Sequence, residues 1–200
     1  MRSPKKRQAT GVRQEQIKRA VLDIIAKEGP ARLSTRRLAE RVGISEAAIF
    51  RHFRTKQDII LGIMQDVKTD MVGAMRAAAQ QPKPADKRLF ELMCAQVKYI
   101  LANRGMNILL FSEAAHANDS VLKRELHGIL SAQKELLAGV IQCGIKEGIW
   151  RDLISVEDAA TIYMGIPISL NIELVLSRGR VNVEGFCKRM FFLFSGILAK

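Results

Sequence analysis

Four arginines, three hydroxyl residues and a histidine are gathered in residues 34–53, STRRLAERVGISEAAIFRHF. In this order the groups suit binding rather than bond breaking. No serine, carboxylate or histidine constellation for nucleophilic or acid–base work stands out along the chain. A guanidinium such as that of Arg51 offers a planar fork of donors. It can bond a guanine edge bidentately and is then worth about 1–3 kcal/mol of discrimination. Ser34-Thr35 and Thr55-Lys56 are residue types that open helices, and a helix start aims backbone N–H groups at phosphates. Lys56 adds a full positive charge beside the second of these starts.

The charge balance points the same way. The 200 residues include 32 Lys and Arg against 20 Asp and Glu, a net charge of +12. Residues 1–56 hold 15 basic and 5 acidic side chains, and residues 57–200 hold 17 and 15. The surplus falls on the stretch with the candidate contacts, so a polyanion is the expected partner. Other chemistries find little support. Residues 139–146 brush past a phosphate-loop pattern, but Ile145 stands where lysine is required and no strand precedes it. Cys94, Cys143 and Cys187 form no CxxC pair, and with His116 and His127 they show no metal-ligand spacing. No cofactor, no metal and no enzymatic activity are expected, and a reducing, cytoplasmic setting fits. The opening MRSPKKRQATG is basic without a following apolar run, unlike a secretory signal. No charge-free apolar run reaches the roughly 18 residues of a spanning helix. The nearest, 162–176, is interrupted by Pro167, Asn171 and Glu173.

The elements that must position these groups are helical almost throughout, with no alternating strand run. Residues 1–11 read as a flexible basic arm. Ile17, Ala20, Val21, Ile24 and Ile25 make one face of a first helix over about 13–28, stopped by Gly29-Pro30. Ser34 caps a short helix to Val42, Gly43 breaks it, and Ser45 caps a second to about Phe53. Leu38, Ala39, Val42, Ile44, Ile49 and Phe53 would lock the two at a steep angle, a helix-turn-helix pattern. The outer side of the second is then Glu46, Ala47, Phe50 and Arg51. Thr55 with Asp58 has capping-box spacing for a long helix to about 81. Further helices fall near 86–102, 106–116, 119–147, 156–177 and 183–199.

The last helix is apolar on most of its circumference. Phe186, Cys187, Met190 and Phe194 make a stripe, with Phe191, Phe192 and Leu193 lying off it. Such a helix needs cover on more than one side. Monomer core is one reading; a subunit interface with Ile162 and Ile166 of helix 156–177 is the favoured one, naming Phe186, Met190 and Phe194 as interface residues. Phe90, Met93, Cys94, Val97, Met106, Leu110, Phe111, Tyr163 and Met164, with Asn107, Glu113 and His116 as polar anchors, could be plain core or line a ligand pocket.

The stretch over 13–60 resembles the N-terminal domain of the TetR (AcrR-type) family of transcriptional regulators. The features that carry the resemblance are the first helix face, the Ser34-Thr35 cap, Leu38-Ala39, Val42-Gly43-Ile44-Ser45, Ile49-Phe50-x-His52-Phe53 and Lys56 after Thr55. It covers about a quarter of the chain. Beyond it agree only length, helical character, a SEAA stretch from Ser112 and a KEGIW stretch. The resemblance implies an all-α fold of about nine helices, with a DNA-binding domain over 12–56 and a regulatory and dimerisation domain over 57–200. It implies a homodimeric repressor on palindromic double-stranded DNA, released by a small apolar or amphipathic effector, with no membrane partner. It tilts the pocket reading towards a cavity lined by Phe90, Met93, Val97, Met106, Leu110, Glu113 and Tyr163. Arg36, Glu46, Ala47, Phe50 and Arg51 would face base edges, with Ser45 capping their helix. Ser34, Thr35, His52 and Lys56 would face phosphates, although a histidine between two aromatics is often a packing residue. Phe50 replaces a frequent tyrosine and so loses a hydroxyl contact. Glu46 departs from the usual lysine or small residue, and its carboxylate could accept from a cytosine amine. An architectural or division-related DNA-binding protein of the same fold, without an effector, is the alternative.

Overall fold

The computed structural model describes residues 10–104, 106–116, 119–152, 155–177, 182 and 184–199, with side chains described except at 111, 113–116 and 175. Among these residues the chain is helical with no strand, as the periodicity predicts. Helix α1 is Thr10–Glu28, α2 Thr35–Val42 and α3 Glu46–Phe50. Helix α4 is a rod in three consecutive parts, Lys56–Asp66, a π-helical Val67–Val72, and Gly73–Ala79. Then follow α5 Ala85–Ala102, α6 Met106–His116, α7 Ser120–Lys146, α8 Val156–Leu176 and α9 Phe186–Leu198. The basic arm expected over 1–11 lies outside the described residues up to position 9, and its last two residues are already helical in α1.

The local chemistry explains the joints. Gly43 ends α2 in the left-handed region at φ 72°, where a side chain would be strained. Its amide bonds Ala39 and Glu40 carbonyls, and the Ile44 amide also returns to Ala39, closing a Schellman turn. Thr55 and Asp58 form the predicted capping box, side chain to amide in both directions, at 3.1 and 2.9 Å. The helix expected to reach Phe53 is shorter: α3 closes at Phe50, with Arg51 and His52 in the turn beyond.

The core explains why such short helices persist, since neither α2 nor α3 could stand alone in water. Ile17, Val21, Ile24 and Ile25 of α1 pack with Leu38, Ala39, Ile49 and Phe53 beneath the α2–α3 pair. Arg41 reaches across to Asp23 and, at 2.6 Å, to Glu28; Arg37 pairs with Glu28 as well. The rod α4 is tied to α1 by the nearly buried Lys18, 2.6 Å from Asp66. Burial alone would lower the Lys18 pKa, but its hydrogen bonds to Asp66 and Glu15 raise it on balance. The same buried cluster continues through α4 to α9 as far as Leu198.

The phosphate-loop look-alike at 139–146 lies inside α7, and packing accounts for its second glycine. A Cβ on Gly144 would overlap the Trp150 ring. Gly144→Ala must push the indole out of a site where it is almost fully enclosed. Overpacking of this kind costs about 1–3 kcal/mol, which lowers Tm by about 5 °C in a chain of this length. Differential scanning calorimetry checks it.

Candidate nucleic-acid interface

Three consecutive helix starts present their first turns near one another in sequence, and each is capped by its own side chain. Ser34 Oγ accepts from the Arg37 amide at 3.2 Å, and Ser45 Oγ accepts from the Ala48 amide at 3.2 Å. Thr55 caps α4 as described. The serines therefore have a structural duty at the positions expected to meet DNA.

On α3, Ala48 and Ile49 turn inward while Ser45, Glu46, Ala47, Phe50 and Arg51 are exposed. The fold thus brings five of the expected contact residues to one outward surface. Phe50, a large apolar ring, is 49% exposed there. Arg36 is exposed on α2, where it pairs with Glu40 at 3.2 Å. Thr35 is half-buried, and Lys56 is exposed in the first turn of α4. His52 fits its packing alternative best. It is half-buried, its Nδ1 is enclosed without a hydrogen-bond partner, and its carbonyl accepts from Gln14 Nε2 at 3.1 Å.

The ion pairs sort the arginines. Arg36, Arg37 and Arg41 all answer carboxylates on α1 or α2. Among the described residues no ion pair is formed by Arg51 or by Arg54, which is exposed three residues further on. Sequence reasoning misses Arg54; the basic spacing Arg51, Arg54, Lys56 is the signal that could have shown it. An uncommitted guanidinium at the outer end of α3 is the group free to read a base edge.

The expected pocket is placed differently. Met93, Val97, Met106 and Tyr163 are enclosed in packed core, and Phe90 stands edge-on to Phe191 with ring centroids 5.4 Å apart. The side chain of Glu113 lies outside the described residues. The cavity between these helices is about 40 Å³ and takes its walls from Val67, Met71, Gln96, Leu110, Gln133 and Met164, among others. Of the expected lining residues whose side chains are described, Leu110 alone borders this cavity. Gln96 Nε2 donates to Gln133 Oε1 at 2.6 Å, a buried polar pair at this wall.

The expected interface residues also divide. Phe194 is only 2% exposed and stacks edge-on against Tyr163 at 5.4 Å, so it is core of its own chain. Phe186, Met190 and Ile166 are half-buried, and Ile162 is exposed. The outward apolar surface consists of Ile162, Ile168, Ile172 and Leu176 of α8 with Phe192, Leu193 and Ile197 of α9. Among the described residues no helix is long and apolar enough to cross a membrane, and no group of three metal-ligating side chains forms.

Residues 18–63 match the family of bacterial regulatory proteins, tetR family. Nucleoid occlusion factor SlmA of Aliivibrio fischeri (strain MJ11) is 25% identical over 118 residues, 58% of this chain and 60% of its own length. The match therefore spans less than two thirds of that curated relative. The TetR family transcriptional regulator PfmR from Thermus thermophilus superposes with a TM-score of 0.78 at 19% identity, covering 90% of this chain and 97% of that one. A transcriptional regulator from Saccharomonospora viridis, solved in complex with choline, gives 0.79 at 18%, covering 95% and 99%. Both likenesses speak for the fold. Residues 18–63 thus match the model of the bacterial regulatory proteins, tetR family, over the helix-turn-helix segment, and the chain as a whole has a TetR-like fold.

Proposed function

We propose that the protein is a homodimeric repressor acting in the cytoplasm on a two-fold symmetric DNA operator. Residues 12–56 would bind DNA, and 57–200 would join the subunits and sense an effector. The observation that carries this reading is the second apolar face of α8 and α9, where Phe192 is 78% and Leu193 60% exposed. Large apolar side chains left exposed on two helices that pack together support an association site. A second copy across it would set two α3 helices at a fixed separation, about 34 Å for half-sites one DNA turn apart. Ser34, Thr35 and Lys56 would hold phosphates while Arg36, Glu46, Ala47, Phe50 and Arg51 face the groove.

An effector would act through α4. Its π-helical part places Val67 and Met71 in the cavity wall, and its first turn carries Lys56, which would meet DNA. Drug-sized ligands occupy pockets of about 300–1,000 Å³. A guest must therefore open this one by moving its walls, which couples binding to the rod. Loosening DNA tenfold to a hundredfold needs about 1.4–3 kcal/mol of preference for the opened form. Selection from a random DNA pool tests the reading. A palindromic consensus bound by a dimer is expected, and sequence-independent binding by a monomer would refute it.

The small cavity and the SlmA likeness favour a second reading, a DNA-bound nucleoid protein without an effector. Titration of operator complexes with apolar and amphipathic small molecules separates the two, since only the repressor releases DNA.

A further inference from the structure

A second cavity, of about 180 Å³, lies where α1 to α4 meet, and it is larger than the one of about 40 Å³ between the later helices. Val21 of α1, Leu38 of α2, Ile49 of α3 and Ile59 and Ile60 of α4 form its inner wall, and each is almost fully buried. Phe53, between α3 and α4, adds its ring to that wall. The outer lining is Ser34, Phe50, Thr55 and Lys56, all exposed, with half-buried Thr35 beside them. The void therefore opens among side chains expected to meet DNA.

Its chemistry is graded from inside to outside. The inner side chains are hydrocarbon, and an apolar void of about 150 Å³ stays dry and accepts a benzene-sized guest. The outer lining supplies hydroxyls and one cation, Lys56, with no carboxylate among the lining residues. The Asp58 carboxylate accepts from the Thr55 amide at 2.9 Å and is not part of the lining. The surrounding sequence is basic, with 15 Lys and Arg against 5 Asp and Glu over residues 1–56. An apolar body with one negative end complements this site. The body leaves water for the inner wall, while the anion stays hydrated at the mouth in the field of Lys56.

We propose that this cavity binds a small amphipathic carboxylate, with one aromatic ring or its equivalent inward and the carboxylate at Lys56, and that the guest excludes DNA directly. The binding stands on the cavity; the exclusion rests on the DNA surface proposed above. The carboxylate takes the place of a phosphate, and Thr35 and Phe50 cannot serve both occupants at once. No movement of α4 is required, which sets this route apart from an effector lodged among the later helices.

Hydrocinnamate is the probe, and hydrocinnamyl alcohol is its neutral counterpart. Each is titrated into the full-length protein with labelled isoleucine methyl groups and followed by NMR. Hydrocinnamate is expected to shift Ile49, Ile59 and Ile60 and to leave Ile100 and Ile129 of the other cavity in place. The alcohol should bind roughly threefold to tenfold more weakly, and Lys56→Ala should remove that difference. Val21→Phe, which fills the void from α1, should abolish the shifts while a duplex chosen from the random pool still binds. Hydrocinnamate should raise the apparent Kd of that duplex competitively. Shifts at Ile100 and Ile129 alone, equal binding of acid and alcohol, or no shifts would overturn the proposal. So would headpiece shifts at saturation with DNA affinity unchanged. Headpiece shifts in a protein that binds no duplex would refute the DNA reading, and the exclusion with it, while upholding the carboxylate site. The wild-type spectra decide the matter even if Val21→Phe folds poorly.

Discussion

Arg51→Ala is expected to remove most of the protein's ability to choose among DNA sequences. Every arginine of α2 is engaged by a carboxylate, whereas Arg51 projects from the end of α3 with no ion pair among the described residues. Its loss leaves the fold untouched, because the side chain is exposed and the α3 cap resides in Ser45. One bidentate arginine contributes about 1–3 kcal/mol. Two copies on a symmetric operator act at distant sites and add, giving about 2–6 kcal/mol, or roughly 30-fold to 20,000-fold in the ratio of specific to non-specific binding. Lys56→Ala provides the contrast. It should weaken all sequences alike and reduce the salt slope by about one phosphate contact per subunit. Fluorescence anisotropy with operator and scrambled duplexes over a salt series measures both. A uniform loss for Arg51→Ala would remove it from base reading.

Phe192→Asp is expected to split the proposed dimer while leaving each chain folded. The ring is 78% exposed on its own chain, so a carboxylate there meets water in the monomer and an apolar partner in the dimer. An unpaired charge buried at an interface centre costs several kcal/mol per subunit. Light scattering at micromolar concentration should show half the mass, and operator affinity should fall by more than about 100-fold as the two headpieces separate. Phe194 is the control. It is enclosed against Tyr163, so Phe194→Ala should cost about 3–5 kcal/mol of folding stability instead. Unchanged mass for Phe192→Asp would move the interface elsewhere.

The difference between these two phenylalanines shows what the sequence can and cannot disclose. Helix α9 is apolar nearly all round, so periodicity says that two faces need cover but not which one turns inward. Spacing alone assigns the stripe through Phe194 to the interface, yet the chain keeps that stripe for itself and leaves Phe192 and Leu193 outside. Caps are more legible. Ser34, Ser45 and Thr55 each close a turn by local hydrogen bonds that depend on residues three positions away, so the sequence contains the whole cause. The outward face of α3 follows from those caps and from Ile49. The cavity wall is poorly legible for the opposite reason. Met93 and Val97 are as apolar as Leu110, and only packing among five helices decides which of them borders a void. Ion pairs across long separations, such as Lys18 with Asp66, have no local signature either.

The π-helical turn in α4 sets the phase between its two ends. In Val67–Val72 the amides reach one residue further back than in an α-helix, which is equivalent to one inserted residue. An insertion offsets everything beyond it by about 100° around the axis. If the wide turn is ironed out, the segment Lys56–Asp66 twists about its own axis like a key rather than sliding like a piston. A signal arriving at Val67 and Met71 would then reach Thr55 and Lys56 as torque.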